Sequence, residues 1–210
     1  MIPLLIAAGL AGLGGLAYWL KTRRASSPLP VREFLTSADA PVLKRTSGIG
    51  NDYDALILTV AGAEGIDPVL LKAIVKKETN FDEEAVNPEQ TFTIYGKTYA
   101  PSSLEGRRRL RDFIAGGGDP HSLGINPSLG LAQVRLSTGK HFISGLEPQE
   151  LFDPQTNLTA SARLLRELAD AGITLETIDA YNVGQDLSPR NLPYRDAVKK
   201  NYELFRGDFS

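Results

Sequence analysis

The chain has 210 residues, enough for one well-buried core with an appendage and short of two ordinary domains. Its 42% hydrophobic and 23% charged residues are those of a globular protein, and a net charge of −2 with a pI near 5.8 excludes a general nucleic-acid binder, which needs a broad basic field. The absence of cysteine excludes disulfides, thiolate nucleophiles and Cys-type metal sites.

The first element is Ile2 to Leu20, an uncharged run. As a helix it spans about 28 Å, close to the hydrocarbon thickness of a bilayer. Tyr18 and Trp19 close it, where amphipathic rings prefer the headgroup level, and Lys21, Arg23 and Arg24 follow at once. A signal peptide carries its positive charge before the apolar run, so an uncleaved anchor over residues 1–20 is the expectation, with membrane contact through residues 2–20. Residues 21–51, with SSPLP, DAPV and TSGIGND, are rich in turn formers and read as a linker. The folded domain is expected over 52–210.

DYDALILTVAGAEG has an acidic start, an apolar run and a glycine stop, the marks of a helix. IDPVLLKAIVKKETNF predicts a second helix, with Asp67 as N-cap and Pro68 as first helical residue. Leu70, Leu71, Ile74 and Val75 form its apolar face, and Glu78, four residues after Ile74, continues that stripe inward. An unpaired carboxylate there is costly, which argues against Glu78 as an ordinary solvated charge. TFTIYGKTYAP predicts a small β-hairpin, and SSLEGRRRLRDFIAGGG a helix with a glycine exit. The dense basic run Arg107 to Arg111 reads as the solvated face of that helix. DPQTNLTASARLLRELADAG predicts a helix capped by Asp153 and Pro154 and stopped at Gly172. TLETIDAYNVG predicts a shorter one stopped at Gly184, and LPYRDAVKKNYELF a last one.

Four segments carry a resemblance. KKETNF, then SLGLAQV (Ser128 to Val134), then LFDPQTNLTASARLLREL, then DAYNVG occur in that order, with YRDAV beyond. Together they resemble the successive motifs of lytic transglycosylases of the soluble, goose-lysozyme-like type. In that family a Glu-Ser-x-Phe motif is followed by Gly-Leu-Met-Gln-Ile, Asp-Pro-x-x-Asn-Ile and Ala-Tyr-Asn-x-Gly. The resemblance covers roughly Asp52 to Phe205. Thr79 stands where serine is usual and keeps the hydroxyl. Ala132 stands where methionine is usual. The stretch from about Pro88 to Pro127 is a long insert for the simplest members. The implied fold is mainly α and lysozyme-like, an α+β catalytic domain with a small β-hairpin, here preceded by one N-terminal transmembrane helix.

The implied chemistry centres on Glu78. Breaking a glycosidic bond needs a proton on the leaving oxygen, and a carboxylic acid supplies it near neutral pH only when its pKa is raised. The end of an apolar helix provides that setting through desolvation and the negative end of the helix dipole. By resemblance Glu78 is the catalytic residue, first as general acid and then as base on the C6 hydroxyl of the muramyl sugar. Gly130, Gln133, Tyr181 and Asn182 are the expected substrate-binding residues: Gly130 for close backbone approach, Gln133 and Asn182 for their amides, Tyr181 for its ring and hydroxyl. Thr79, Phe81 and Asn157 are expected in supporting, structural roles. Asp82, Glu83 and Glu84 read as an exposed acidic turn; one of them facing Glu78 would favour a hydrolytic, two-carboxylate mechanism. His121 and His141 stand apart with no ligand clustering, so no metal and no cofactor are expected.

The expected activity is non-hydrolytic cleavage of peptidoglycan glycan strands, with a hydrolytic muramidase and a non-catalytic glycan-binding protein as alternatives. No nucleic-acid partner is expected. The cations after the anchor favour a cytoplasmic domain, while the wall lies outside. Either the domain is exported to face the periplasm from the inner membrane, or it travels in the membrane of a phage virion, among virion or envelope-complex proteins. The virion location is preferred on size, anchor and insert.

Overall fold

The computed structural model describes residues 51–169, 175–183 and 192–209. The expected anchor, the linker as far as residue 50, and the glycine stops at Gly172 and Gly184 lie outside the described residues. Among the described residues no helix is long and apolar enough to cross a membrane.

After a 3-10 turn at Asn51–Tyr53 come helices α1 (Asp54–Glu64) and α2 (Pro68–Glu78), then strands β1 (Val86–Asn87), β2 (Phe92–Ile94) and β3 (Lys97–Tyr99). Helix α3 (Leu104–Ala115) and a 3-10 turn at Pro120–Leu123 lead to β4 (Ser128–Leu129), β5 (Val134–Arg135) and α4 (Leu136–Phe142). A 3-10 turn at Pro148–Phe152 precedes α5 (Pro154–Leu168), α6 (Leu175–Val183) and α7 (Leu192–Phe205). The expected hairpin is β2–β3, antiparallel with Phe92 opposite Tyr99. Sequence periodicity did not reveal α4 or the antiparallel sheet β1-β4-β5.

Helix α2 is the centre of the core. Asp67 accepts a hydrogen bond from the Val69 N–H at 2.8 Å and Pro68 needs no partner, so the helix starts where the sequence expects. Every residue from Val69 to Val75 is buried. It packs mainly against α7, while α1 packs on α5.

A helix buried all round must also bury whatever charge it carries. Lys72 is fully enclosed, with Nζ 2.6 Å from Asp54 Oδ1 and 2.6 Å from Asp208 Oδ2. The rings of Phe205 and Phe209 lie 4.8 and 5.6 Å from the same ammonium. Two carboxylates and two π-faces make its burial tolerable. At the C-terminal end of α1, buried Glu64 accepts from Arg163 Nε at 2.8 Å and Arg166 Nη1 at 2.6 Å, joining α1 to α5.

Candidate active site

Glu78 is the last residue of α2. The chain then reverses through Asn80 (φ 58°) and Phe81 (φ 70°), both in the left-handed region that residues with a Cβ rarely occupy. Phe81 stacks on Tyr53 at 6.1 Å between ring centroids and meets the edge of Phe205 at 6.3 Å, which holds the reversal. The Thr79 hydroxyl donates to the Leu131 carbonyl at 2.8 Å and accepts from the Asp82 N–H at 3.2 Å. The hydroxyl thus links the end of α2 to the 130–133 loop, and threonine can serve there as serine would.

That loop is fixed from below by Asn157. Its side chain donates to Leu129 O at 2.8 Å and Leu151 O at 2.9 Å, and accepts from the Ala132 N–H at 2.9 Å. Gly130 has φ 69° and packs its bare face on this assembly. Close approach was expected there toward a sugar; the structure puts it toward Leu151 and Asn157. Gln133, at φ 49°, donates from Nε2 to Gly130 O at 3.0 Å and Ala85 O at 3.3 Å.

Two tyrosines complete the surroundings. The Tyr181 hydroxyl donates to Ala132 O at 2.8 Å and meets Ser161 Oγ at 2.9 Å. The Tyr194 hydroxyl donates to Glu78 Oε1 at 2.6 Å. Buried Asp179 faces Arg195 Nη1 at 3.5 Å and so ties α6, which carries Tyr181, to α7, which carries Tyr194. Burial pushes both phenols well above their ordinary range, and Glu78 adds to the push, so both stay protonated.

Burial also raises the Glu78 carboxyl above its ordinary value; the Tyr194 hydroxyl and the Lys77 ammonium pull it back, and the charge of Glu89 raises it. Tyr194→Phe therefore removes a donor that favours the ionised carboxylate. In that variant the alkaline limb of the kcat/KM profile should move to higher pH, with stability lower by about 1 kcal/mol. An unmoved limb would show that the phenol does not tune the acid.

Glu78, Gln133, Tyr181 and Asn182 line one cleft of about 580 Å³. Its walls also carry Ser137, Thr138, His141 and Phe142 of α4, and Leu164, Glu167 and Leu168 of α5. Gly130, Thr79, Phe81 and Asn157 lie behind these walls, holding the backbone. None of Asp82, Glu83 and Glu84 lines the cleft: Glu83 accepts from Tyr53 at 2.8 Å and Glu84 from Arg111 at 3.0 Å. Among the described residues no group of three or more His, Cys, Asp or Glu is placed to hold a metal.

Sequence reasoning missed two residues. Tyr194 lies within the quoted YRDAV segment, which marked the position but not the contact. Glu89 lines the cleft beside Asn87 and Ser128, and its only signal is an acidic residue after Asn-Pro. The insert also contributes Gln90, His121 and Asn126 to a second, polar hollow of about 660 Å³, joined to the cleft through Glu89 and Arg135. Within the basic run, Arg107 Nε donates to Pro101 O at 3.0 Å and Arg111 pairs with Glu84 and Asp112, while Arg108 and Arg109 are exposed.

The order of motifs and the half-buried carboxyl on the cleft wall agree with the comparison to known families. A model of the Transglycosylase SLT domain matches residues 55–204. The chain belongs to this transglycosylase family. Its members are lytic transglycosylases acting on peptidoglycan. Comparison with curated proteins and with solved structures finds no match. The mainly helical architecture with two small sheets fits the lysozyme-like fold of the family. The matched span starts inside α1 of this transglycosylase and ends inside α7, so it includes Glu78, the 130–133 loop, Tyr181 and Tyr194.

Proposed function

We propose that the protein cleaves the β-1,4 bond between N-acetylmuramic acid and N-acetylglucosamine without water, forming a 1,6-anhydro ring on the muramyl sugar. The observation that carries this is the Glu78 carboxyl, held at the cleft wall with a raised pKa and a phenol donor on one oxygen, while none of Asp82, Glu83 and Glu84 lines the cleft. Glu78 gives its proton to the glycosidic oxygen as the bond from C1 to that oxygen breaks. As a carboxylate it then takes the proton of the C6 hydroxyl, whose oxygen bonds to C1. Nothing is added, and the acid ends in the state in which it began. Gln133, whose Nε2 is held by Gly130 and Ala85, offers its amide oxygen to N–H and hydroxyl donors of the strand, Asn182 offers its amide, and Tyr181 contributes a ring face.

The test is the mass of the fragments released from purified peptidoglycan. Anhydro-ended fragments are expected, about 18 mass units lighter than hydrolysed ones. A digest with hydrolysed ends alone overturns the proposal. The role we assign is local opening of the wall by a domain tethered through residues 2–20, in a virion membrane in preference to a bacterial inner membrane. Recovery of the protein in purified particles, against protease-accessible protein on spheroplasts, separates the two.

A further inference from the structure

Glu89 is an exposed residue on the cleft lining whose side chain is nonetheless held in one place. Its backbone is left-handed, at φ 63°, a conformation that costs a residue with a Cβ about 1 kcal/mol or more. The N–H of Glu89 is held by Asn87 Oδ1 at 3.3 Å. Its side-chain Oε1 accepts from Ser128 Oγ at 2.8 Å and from Asn87 Nδ2 at 3.2 Å. Arg135 Nη2 lies 3.8 Å from Oε2, beyond hydrogen-bond reach.

These three partners share one row of the small sheet. Asn87 pairs with Ser128 across β1 and β4, and Ser128 pairs with Arg135 across β4 and β5. The sheet therefore aims one side chain from each strand at a single carboxylate. Among the described residues Oε2 accepts no hydrogen bond, and Glu89 lines both the cleft and the hollow beside it. Strain of this kind persists where surrounding structure over-determines a residue, and it gathers at functional sites.

We infer that Glu89 is a general base for water, giving the cleft a hydrolytic outlet beside ring closure. The inference rests on Glu78 as the acid. Glu78 protonates the glycosidic oxygen and the C1 bond breaks, as before. On the second outlet Glu89 Oε2 takes a proton from a water whose oxygen bonds to C1, leaving a reducing muramyl end. Glu89 then loses that proton to solvent and Glu78 regains one, so one water is consumed and nothing is oxidised or reduced. Two carboxylates in one saccharide cleft, one acid and one base on water, suffice for such a step. Glu78 and Glu89 line the same cleft.

The experiment is a peptidoglycan digest by the full chain, treated with borohydride, which reduces hydrolysed ends and leaves anhydro ends untouched. The wild type should release both kinds of end. In Glu89→Gln the ratio of reducible to anhydro ends should fall by about a hundredfold, the usual worth of a general base. Ser128→Ala, which frees the carboxylate from its main anchor without altering it, should lower the same ratio and keeps the test open if the first variant misfolds. A wild type yielding anhydro ends alone overturns the inference, and so does an unchanged ratio in Glu89→Gln. A wild type yielding neither kind of end fails differently, because it overturns Glu78 as the acid.

Discussion

Glu78→Gln should lose turnover while the fold stands. The amide is nearly the same shape and keeps an oxygen for the Tyr194 hydroxyl, which donates to Glu78 at 2.6 Å in the native chain. It has no proton to give at any working pH. Release of soluble fragments should therefore fall by about a thousandfold or more, since in the proposed mechanism every cleavage begins with that proton. Thermal unfolding adds a second readout, with a definite sign. The folded-state pKa of Glu78 lies above the ordinary 4.5. A carboxyl of that kind supports the fold fully while protonated, below its unfolded pKa, and loses that support as pH rises through the folded value. Glutamine cannot ionise, so the variant should match the native protein in acid and exceed it in Tm at neutral pH. Turnover by Glu78→Gln would end the assignment. A Tm deficit that grows with pH would show that the carboxyl is not desolvated.

Gly130→Ala carries the second large effect, on stability. A Cβ there would lie 2.2 Å from the Leu151 carbonyl oxygen and 2.4 Å from Asn157 Nδ2, and the backbone is at φ 69°. Neither neighbour can retreat cheaply. One is backbone, and the other is the amide that holds Leu129, Leu151 and Ala132 together. A loss of about 4 kcal/mol follows, from strain, clash and disrupted buried hydrogen bonds together. Urea unfolding measures it through the midpoint. The activity should fall as well, because Leu131 and Ala132 receive the Thr79 and Tyr181 hydroxyls. A midpoint close to the native one would mean that the loop has room to shift, and that the glycine is not required by packing.

These two residues also mark how far the sequence could be read. Local chemistry was plain. Asp67-Pro68 and Asp153-Pro154 start α2 and α5 because the cap and the fixed proline φ act within one turn. Tyr-Gly made a tight hairpin turn, with Tyr95 at φ 50° and Gly96 at φ 76°. Glu78 was visible because an apolar stripe leads to it. The sheet β1-β4-β5 was not, since strands of two residues have no measurable alternation. Tyr194 reaches Glu78 from 116 residues further along the chain. No local rule reports a contact of that span. Glu89 escaped for both reasons, since it depends on a register across three strands that leave no pattern. Gly130 was read for its freedom toward a ligand, when what limits it is the protein behind it.

The enclosed ammonium of Lys72 bears on when the enzyme becomes competent during its synthesis. One of its carboxylates, Asp54, is translated before it, but the other, Asp208, lies 136 residues later. A nascent chain that has emerged only as far as α6 already holds the acid-bearing helix, yet lacks Asp208 and both rings that shield its cation. Closing α2 into a core at that stage would leave the ammonium with Asp54 but without Asp208 and the rings of Phe205 and Phe209 in an apolar interior. The wall-cutting groove should therefore mature late on the ribosome, and a fragment cut short by a few residues before Asp208 should be a poor lytic agent even with Glu78 and both tyrosines present.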